Sequence, residues 1–267
     1  MQCHLVLFVK QITEYLMTLK NLLLAFLFLL PISMYGQDTI YLDKYGAKTK
    51  SQALSKSYKL TVPDTAVTDG KIEREYYLSN KLKSECHLIT RLKDNSDKKE
   101  TIKEGKFQMW FESGKLRRSF NYHNNKIEGE LTTYWENGQI KRHDIYKDGK
   151  QQEGKCYDEN ANEVEYYPFQ KMPEYPGGET ALLQFISRNV HYPIDAQEAG
   201  IQGRVVVEFV IDIYGVVDEI NVKRSLGMSC DNEAVRIVSM LLEWKPGMLD
   251  GEPVSVWYVV PITFKIS

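Results

Sequence analysis

The stretch "RVVVEFVIDIYGVVDEINVKRS", from Arg204 to Ser225, indicates two β-strands joined by a tight turn. Apolar residues alternate along its first half, as in a strand with one buried face, while Val206 and Val210 indicate partial cover on the other face. Tyr214-Gly215 marks the turn. The side chains of this hairpin expected to face a core are Val205, Val207, Phe209, Ile211, Val216, Ile220 and Val222.

Two amphipathic helices flank this predicted hairpin. The first follows the prolines and paired glycines of "KMPEYPGGETALLQFISRNVHYP" (Lys171 to Pro193), and Tyr192-Pro193 closes it. A short helix then ends at Gly200. The last helix lies in "SCDNEAVRIVSMLLEW", where Ser229 or Asp231 can cap its N-terminus. The helical residues expected to face the core are Leu182, Leu183, Phe185, Ile186 and Val190, and then Ala234, Val235, Ile237, Val238, Leu241 and Leu242.

A loop, "KPGMLDGEP", and a long strand, "VSVWYVVPITFKI" (Val254 to Ile266), complete the chain. Alternation places Val256, Tyr258, Val260, Ile262, Phe264 and Ile266 inward. Helices packed on one face of a small antiparallel sheet form an α+β domain of about ninety residues. This is the fold class we predict for the C-terminal part.

The middle of the chain repeats itself. "GKFQMWFESGKLRRSFNYHNNKIE" from Gly105 aligns with "GELTTYWENGQIKRHDIYKDGKQQE" from Gly129, a period of 24 residues. A truncated copy starts at Gly154 and an eroded one at Arg74. Asn137-Gly138 and Asp148-Gly149 suit the positive-φ positions of tight hairpin turns. The sequence therefore predicts an all-β region of stacked hairpins whose aromatic residues pack together.

The N-terminal segment predicts export. "MTLKNLLLAFLFLLPISMYGQ", from Met17 to Gln37, has the basic start, short apolar run and cleavage region of a secretory signal peptide. The run is shorter than the roughly 20 apolar residues of a spanning helix. An uncleaved membrane anchor is the alternative, and Met17 is a candidate for the true start. We expect a periplasmic protein with a cleaved leader.

Composition argues against several classes of protein. Lys and Arg (34) nearly balance Asp and Glu (36), so nothing favours nucleic acid as a partner. Cys86, Cys156 and Cys230 are expected to be buried thiols. The histidines lack metal-ligand spacing, and Ser225 lacks the frame of a nucleophile elbow. We therefore expect no enzyme, no catalytic residue, no metal site and no small-molecule cofactor.

The order of motifs in the last third resembles a known family. "PEYPGG", Tyr192-Pro193, "GIQGRVVVEFVID", "DNEA", "WKPG" and "DGEPVSVWYVVPITF" occur in the order found in the C-terminal domain of TonB, the periplasmic energy transducer, in its Bacteroidetes form. The hairpin region resembles MORN-type repeats. The expected organisation is a signal peptide or membrane segment (1–36), an irregular linker (37–73), MORN-like repeats (74–167) and the TonB-type domain (172–267).

The TonB resemblance implies a binding function without catalysis. In that family the domain adds the TonB box, a short extended segment of an outer-membrane receptor, as a strand at the sheet edge. Such a site would use backbone hydrogen bonds for affinity, and Pro261 favours an edge position for the last strand. The implied partner-binding residues are Val256, Trp257, Tyr258, Val259 and Val260, with Tyr192 and Pro193 alongside.

The expected partners are TonB-dependent outer-membrane receptors or other envelope proteins. A membrane-retained leader would make the chain an energy transducer for transport, although the long spacer usual in TonB is missing between leader and domain. The alternative is a soluble periplasmic scaffold that recognises partners through its repeats, with the TonB-like domain forming a homodimer and no energy transduction.

Overall fold

The structure, a computed structural model, describes residues 39–93 and 96–266, which belong to one compact unit. The expected signal peptide lies outside these residues. Within them, no helix has both the length and the apolar character needed to cross a membrane. The cysteines at 86, 156 and 230 are buried and free, as predicted.

A ten-stranded antiparallel sheet forms the N-terminal part, with its strands neighbouring one another in chain order. The segment 37–73, expected to be an irregular linker, contributes its first two strands and the start of the third. The strands are β1 (Ile40–Leu42), β2 (Ser57–Pro63), β3 (Gly70–Tyr77), β4 (Leu82–Leu92), β5 (Lys99–Trp110), β6 (Leu116–His123), β7 (Lys126–Tyr134), β8 (Ile140–Lys147), β9 (Lys150–Tyr157) and β10 (Glu163–Val164).

The turns of this sheet explain its glycines. At Trp135–Gln139, the Trp135 N–H donates to the Gln139 carbonyl (2.8 Å) and the Gly138 N–H donates to the Trp135 carbonyl (2.9 Å). This is a three-residue hairpin loop in which Gly138 takes a φ of 94°. Asn137 does not share the positive φ that we expected for it. In the turn between β8 and β9, Asp148 (φ 51°) and Gly149 (φ 75°) both have the left-handed conformation, as predicted.

Each repeat also carries a glutamate whose carboxylate accepts a hydrogen bond from the turn that follows the next strand. The Glu104 carboxylate accepts a hydrogen bond from the Asn124 N–H (2.8 Å). One period later, the Glu128 carboxylate accepts one from the Asp148 N–H (2.7 Å). These contacts satisfy turn donors that the strand ladder leaves free. The Glu-Gly pairs of the sequence therefore have a structural role, which the aromatic and glycine pattern alone did not reveal.

The C-terminal part has the predicted α+β fold. Its helices are α1 (Gly178–Asn189), α2 (Ile194–Glu198) and α3 (Met228–Ser239). Its strands are β11 (Gln170–Lys171), β12 (Gly203–Ile211), β13 (Val217–Arg224), β14 (Gly247–Leu249), β15 (Glu252–Val254) and β16 (Val256–Phe264). One sheet has the order β13-β12-β16 and the other the order β11-β14-β15.

The core of this part lies between the β13-β12-β16 sheet and the helices. Val205, Val207, Phe209 and Ile211 are fully buried on one face of β12, and Val210 is buried on the opposite face. Four residues differ from the sequence expectation because they are exposed. Leu183 lies off the buried stripe of Leu182 and Ile186, and Val216 belongs to the turn. Leu242 follows the end of α3, and Ile266 follows the end of β16.

The segment expected to be a loop, "KPGMLDGEP", contains a hairpin instead. β14 and β15 pair from Gly247↔Val254 to Leu249↔Glu252, and Asp250 (φ 54°) with Gly251 (φ 78°) forms the two-residue turn. Asp-Gly is a favoured sequence for such a turn. The strands were missed because each has only three residues and Pro253 lies within the second. We call residues 247–254 the acidic hairpin, after Asp250 and Glu252.

Candidate functional site

The last strand, β16, has one free edge. It pairs with β12 over nine residues, from Gly203↔Phe264 to Ile211↔Val256, without a register shift. Among residues 39–93 and 96–266, β12 is its only strand neighbour. An unpaired edge of this length presents a row of backbone donors and acceptors to another chain.

The opposite edge of the same sheet is less regular. β13 has two register shifts against β12, and Glu219 adopts a φ of 50°. The Asp218 carboxylate accepts hydrogen bonds from the Tyr45 hydroxyl and from Lys44 (3.2 Å). The Tyr45 hydroxyl, together with the Glu219 N–H, holds the pKa of Asp218 below its usual range. Bulges and these contacts leave β16 as the more suitable edge for a visiting strand.

Five of the predicted binding residues, from Val256 to Val260, lie on β16. The Tyr258 ring packs against two buried aromatic residues of the core. Its centroid lies 4.9 Å from that of Trp244 and 5.7 Å from that of Phe209. Burial raises the pKa of Tyr258. Val260 is buried, whereas Val259 is 52% exposed. The edge therefore combines a rigid inner face with an accessible outer face.

Tyr192 and Pro193 lie at the other end of the strand. The Tyr192 ring packs against Phe264 with a centroid separation of 5.5 Å, and its hydroxyl donates to the Ile201 carbonyl. Pro193 is the N-cap residue of α2. Phe264 is four residues beyond Val260, or about 13 Å along an extended strand. These two residues therefore lie farther along the edge than the resemblance implied.

A groove that sequence reasoning missed opens beside Tyr258. Its volume is about 360 Å³. The "PEYPGG" segment and the first turns of α1 supply one wall, and Trp244 and Tyr258 supply the other. The lining residues are Met172, Pro173, Glu174, Tyr175, Gly178, Glu179, Leu182, Trp244 and Tyr258. The prolines and glycines ahead of α1 were the sequence signal for this groove, because Pro173 and Gly178 belong to its lining.

Basic residues of the repeats hold the acidic hairpin that precedes β16. A β-bulge in β6 makes Arg117 an extra residue between Leu116 and Arg118, and Lys141 is the extra residue one period later. A bulge lets two consecutive side chains reach the same side of a sheet. Arg117 and Lys141 both bind the Glu252 carboxylate, at 2.6 and 3.0 Å.

Arg142 makes the most buried of these contacts. Its side chain is fully buried and binds Asp250 through Nε (2.8 Å) and Asp144 through Nη1 (3.0 Å). Its Nη2 donates to the Tyr167 carbonyl (2.7 Å). Burial would lower the pKa of Arg142, but the hydrogen bond to Asp250 and the charge of Asp144 outweigh burial and raise it. The repeats thus fix the hairpin that leads into the candidate edge.

Comparison with known families agrees with this architecture. Residues 188–266 match the model described as Gram-negative bacterial TonB protein C-terminal. This stretch is similar to the C-terminal domain of TonB. It includes α2, α3, the acidic hairpin and the whole β13-β12-β16 sheet, so the free edge belongs to the TonB-type region.

The repeats match a second family model. Residues 103–124 and 127–148 each match the MORN repeat variant, and the predicted copies that begin at Arg74 and Gly154 lie outside those ranges. Both resemblances expected from the sequence are therefore confirmed. No match was found among curated proteins or among solved structures.

Proposed function

We propose that this protein binds extended peptide segments of outer-membrane receptors or associated envelope proteins, each added as a strand along β16. The observation that carries the proposal is the unpaired nine-residue edge of β16 within a TonB-type region. Strand addition needs such an edge, because its affinity comes from main-chain hydrogen bonds.

Pro261 indicates which backbone groups serve the visiting strand. Because proline has no N–H, it is tolerated where its nitrogen points away from the existing ladder, here the ladder with β12. Backbone groups alternate in direction along a strand. Trp257 and Val259 therefore present their N–H and carbonyl groups at the free edge, whereas Tyr258 and Val260 direct theirs to β12.

The groove beside Tyr258 supplies selectivity in this proposal. Alternate side chains of an added strand point to the same face of the sheet. One that points toward the helices would reach the wall formed by Leu182 and Tyr258, with the Glu179 carboxylate on the same groove. The groove favours an apolar side chain followed or preceded by a hydrogen-bond donor.

The test removes one donor from the free edge. Val259→Pro is expected to weaken binding of a peptide carrying a receptor TonB box by at least about tenfold, since a lost hydrogen bond contributes about 0.5–1.5 kcal/mol and the ring adds a steric clash. Fluorescence anisotropy measures affinity, and amide NMR spectra report whether the fold is kept. Val259→Ala, which retains the N–H, should bind within about threefold of the wild type.

Unchanged affinity in the folded Val259→Pro protein would contradict strand addition at this edge. If binding of the same peptide were then abolished by deletion of the repeats, the hairpin region would be the recognition site instead. The two variants share the loss of the valine side chain, so the missing N–H and the proline ring at the backbone separate them.

Localisation and energy coupling form a further part of the proposal. We infer a periplasmic protein with a cleaved leader, on the order of basic, apolar and small residues from Met17 to Gln37. Sequencing the N-terminus of the mature protein should give a start near Gln37. A mature chain that retains the apolar run would instead favour a membrane-held energy transducer.

A further inference from the structure

Arg118 is a buried cation that forms no ion pair with any described residue. Only 8% of the residue is exposed. Within the described ranges, 39–93 and 96–266, no carboxylate forms an ion pair with its guanidinium, and its Nε is buried without a hydrogen bond. Burial lowers the pKa of Arg118, although an arginine side chain remains charged in proteins. The charges of Asp250 and Glu252 offset part of this effect, but neither carboxylate forms an ion pair with Arg118. A buried charge without an ion-pair partner is strongly unfavourable.

A second unpartnered polar group lies directly across from Arg118. Thr133 on β7 is opposite Arg118 on β6 in the strand register. Its side chain is fully buried, and its Oγ1 also has no hydrogen-bond partner among the described residues. Buried hydroxyl and guanidinium groups almost always have partners. Two free donors on neighbouring strands therefore point to a shared acceptor.

The surrounding charges favour an anion as that acceptor. The junction between the repeats and the acidic hairpin holds four cations against three carboxylates, which leaves one positive charge in excess. Each carboxylate already binds another cation, at 3.0 Å or less. The cations are Arg117, Arg118, Lys141 and Arg142, and the carboxylates are Asp144, Asp250 and Glu252.

The aromatic neighbour of Arg118 does not replace an acceptor. The guanidinium carbon lies 5.8 Å from the centroid of the Phe169 ring, which supports the cation through its π face. That contact leaves the buried Nε–H in the plane of the guanidinium without an oxygen partner. A planar fork of N–H donors matches a carboxylate in size and geometry.

We propose that Arg118 and Thr133 form a binding site for one small monoanion of the carboxylate class. The guanidinium would donate to the anion from β6 and the hydroxyl would donate from β7. The bound charge would neutralise the junction and strengthen the contact between the repeats and the acidic hairpin. The proposal is independent of peptide binding at β16. The carboxylate can be a free ion or an acidic side chain of another chain that enters from the surface.

Formate is the probe for the site. Thermal unfolding of the full chain is followed at constant ionic strength while sodium formate replaces sodium gluconate, whose anion is too large for a buried site. The wild type should show a saturable rise in Tm, of about 5 °C when formate exceeds its Kd a hundredfold. A second series uses N-acetyl-aspartate amide, and a parallel effect would show that an acidic side chain can enter.

Two variants and one control make the site testable. Arg118→Gln should abolish the formate response, while Arg117→Gln should keep it, because Arg117 already binds Glu252. Thr133→Val, which preserves the shape of the side chain, should weaken formate binding at least fivefold. This variant provides the test if Arg118→Gln fails to fold. A response to formate alone supports a free anion as the source. No saturable response in the wild type, or an equal response in Arg118→Gln, would overturn the proposal.

Discussion

Replacing Arg142 with alanine is expected to lower the free energy of unfolding by about 3–5 kcal/mol, the range for breaking a buried ion pair from one side. The substitution leaves Asp144 and Asp250 buried without the cation that binds both of them. It also removes the donor to the Tyr167 carbonyl. The loss of this link should weaken the attachment of the acidic hairpin to the repeats, which then depends on Arg117 and Lys141.

Urea denaturation followed by tryptophan fluorescence measures this change. The matched control is Lys155→Ala, which removes an ion pair to Glu163 whose side chains are 59% and 56% exposed. Such exposed pairs contribute little, so the control should unfold at nearly the wild-type midpoint. A loss for Arg142→Ala no larger than that of the control would show that the buried network does not stabilise the junction.

Phe209→Ala is expected to cost about 3–5 kcal/mol of stability as well, because it opens a cavity in the centre of the TonB-type core. Phe209 is fully buried and its ring centroid lies 6.2 Å from that of Trp244. It also supports Tyr258, the β16 residue beside the groove. We therefore expect weaker peptide binding in addition to the lower stability.

The two effects of Phe209→Ala can be measured separately. Urea denaturation gives the stability, and anisotropy at a temperature where the variant is folded gives the affinity. Tyr214→Ala is the control, since this aromatic residue of the same hairpin is 72% exposed and should change stability by less than about 0.5 kcal/mol. Full affinity in folded Phe209→Ala would show that Tyr258 does not depend on its support.

Local patterns predicted the strands that build the edge. The alternation of Val205, Val207, Phe209 and Ile211 gave the buried face of β12, and Pro261 gave the edge position of β16. Periodicity found the repeats because each copy makes the same turn. These features depend on residues close together in the chain, which is why the sequence contains enough information for them.

Long-range features could not be predicted in this way. Arg142 and Asp250 are 108 residues apart, and their contact depends on a bulge and on a hairpin of two three-residue strands. Tyr192 and Pro193 were assigned by resemblance, and a resemblance does not indicate how far along β16 a residue lies. The groove beside Tyr258 requires two segments far apart in the chain to meet at the start of one strand.

The extra basic residue at each bulge has an evolutionary consequence. Deleting the single codon for Arg117 would restore the regular pleat, so β6 would keep its place while losing one attachment to Glu252. The matching bulge of the earlier copy has Lys83 as its extra residue, and that side chain binds Glu75 instead of the acidic hairpin. Loss of the extra residue at either of the bulges that face the acidic hairpin would therefore remove one attachment to Glu252, without a change to the rest of either surface.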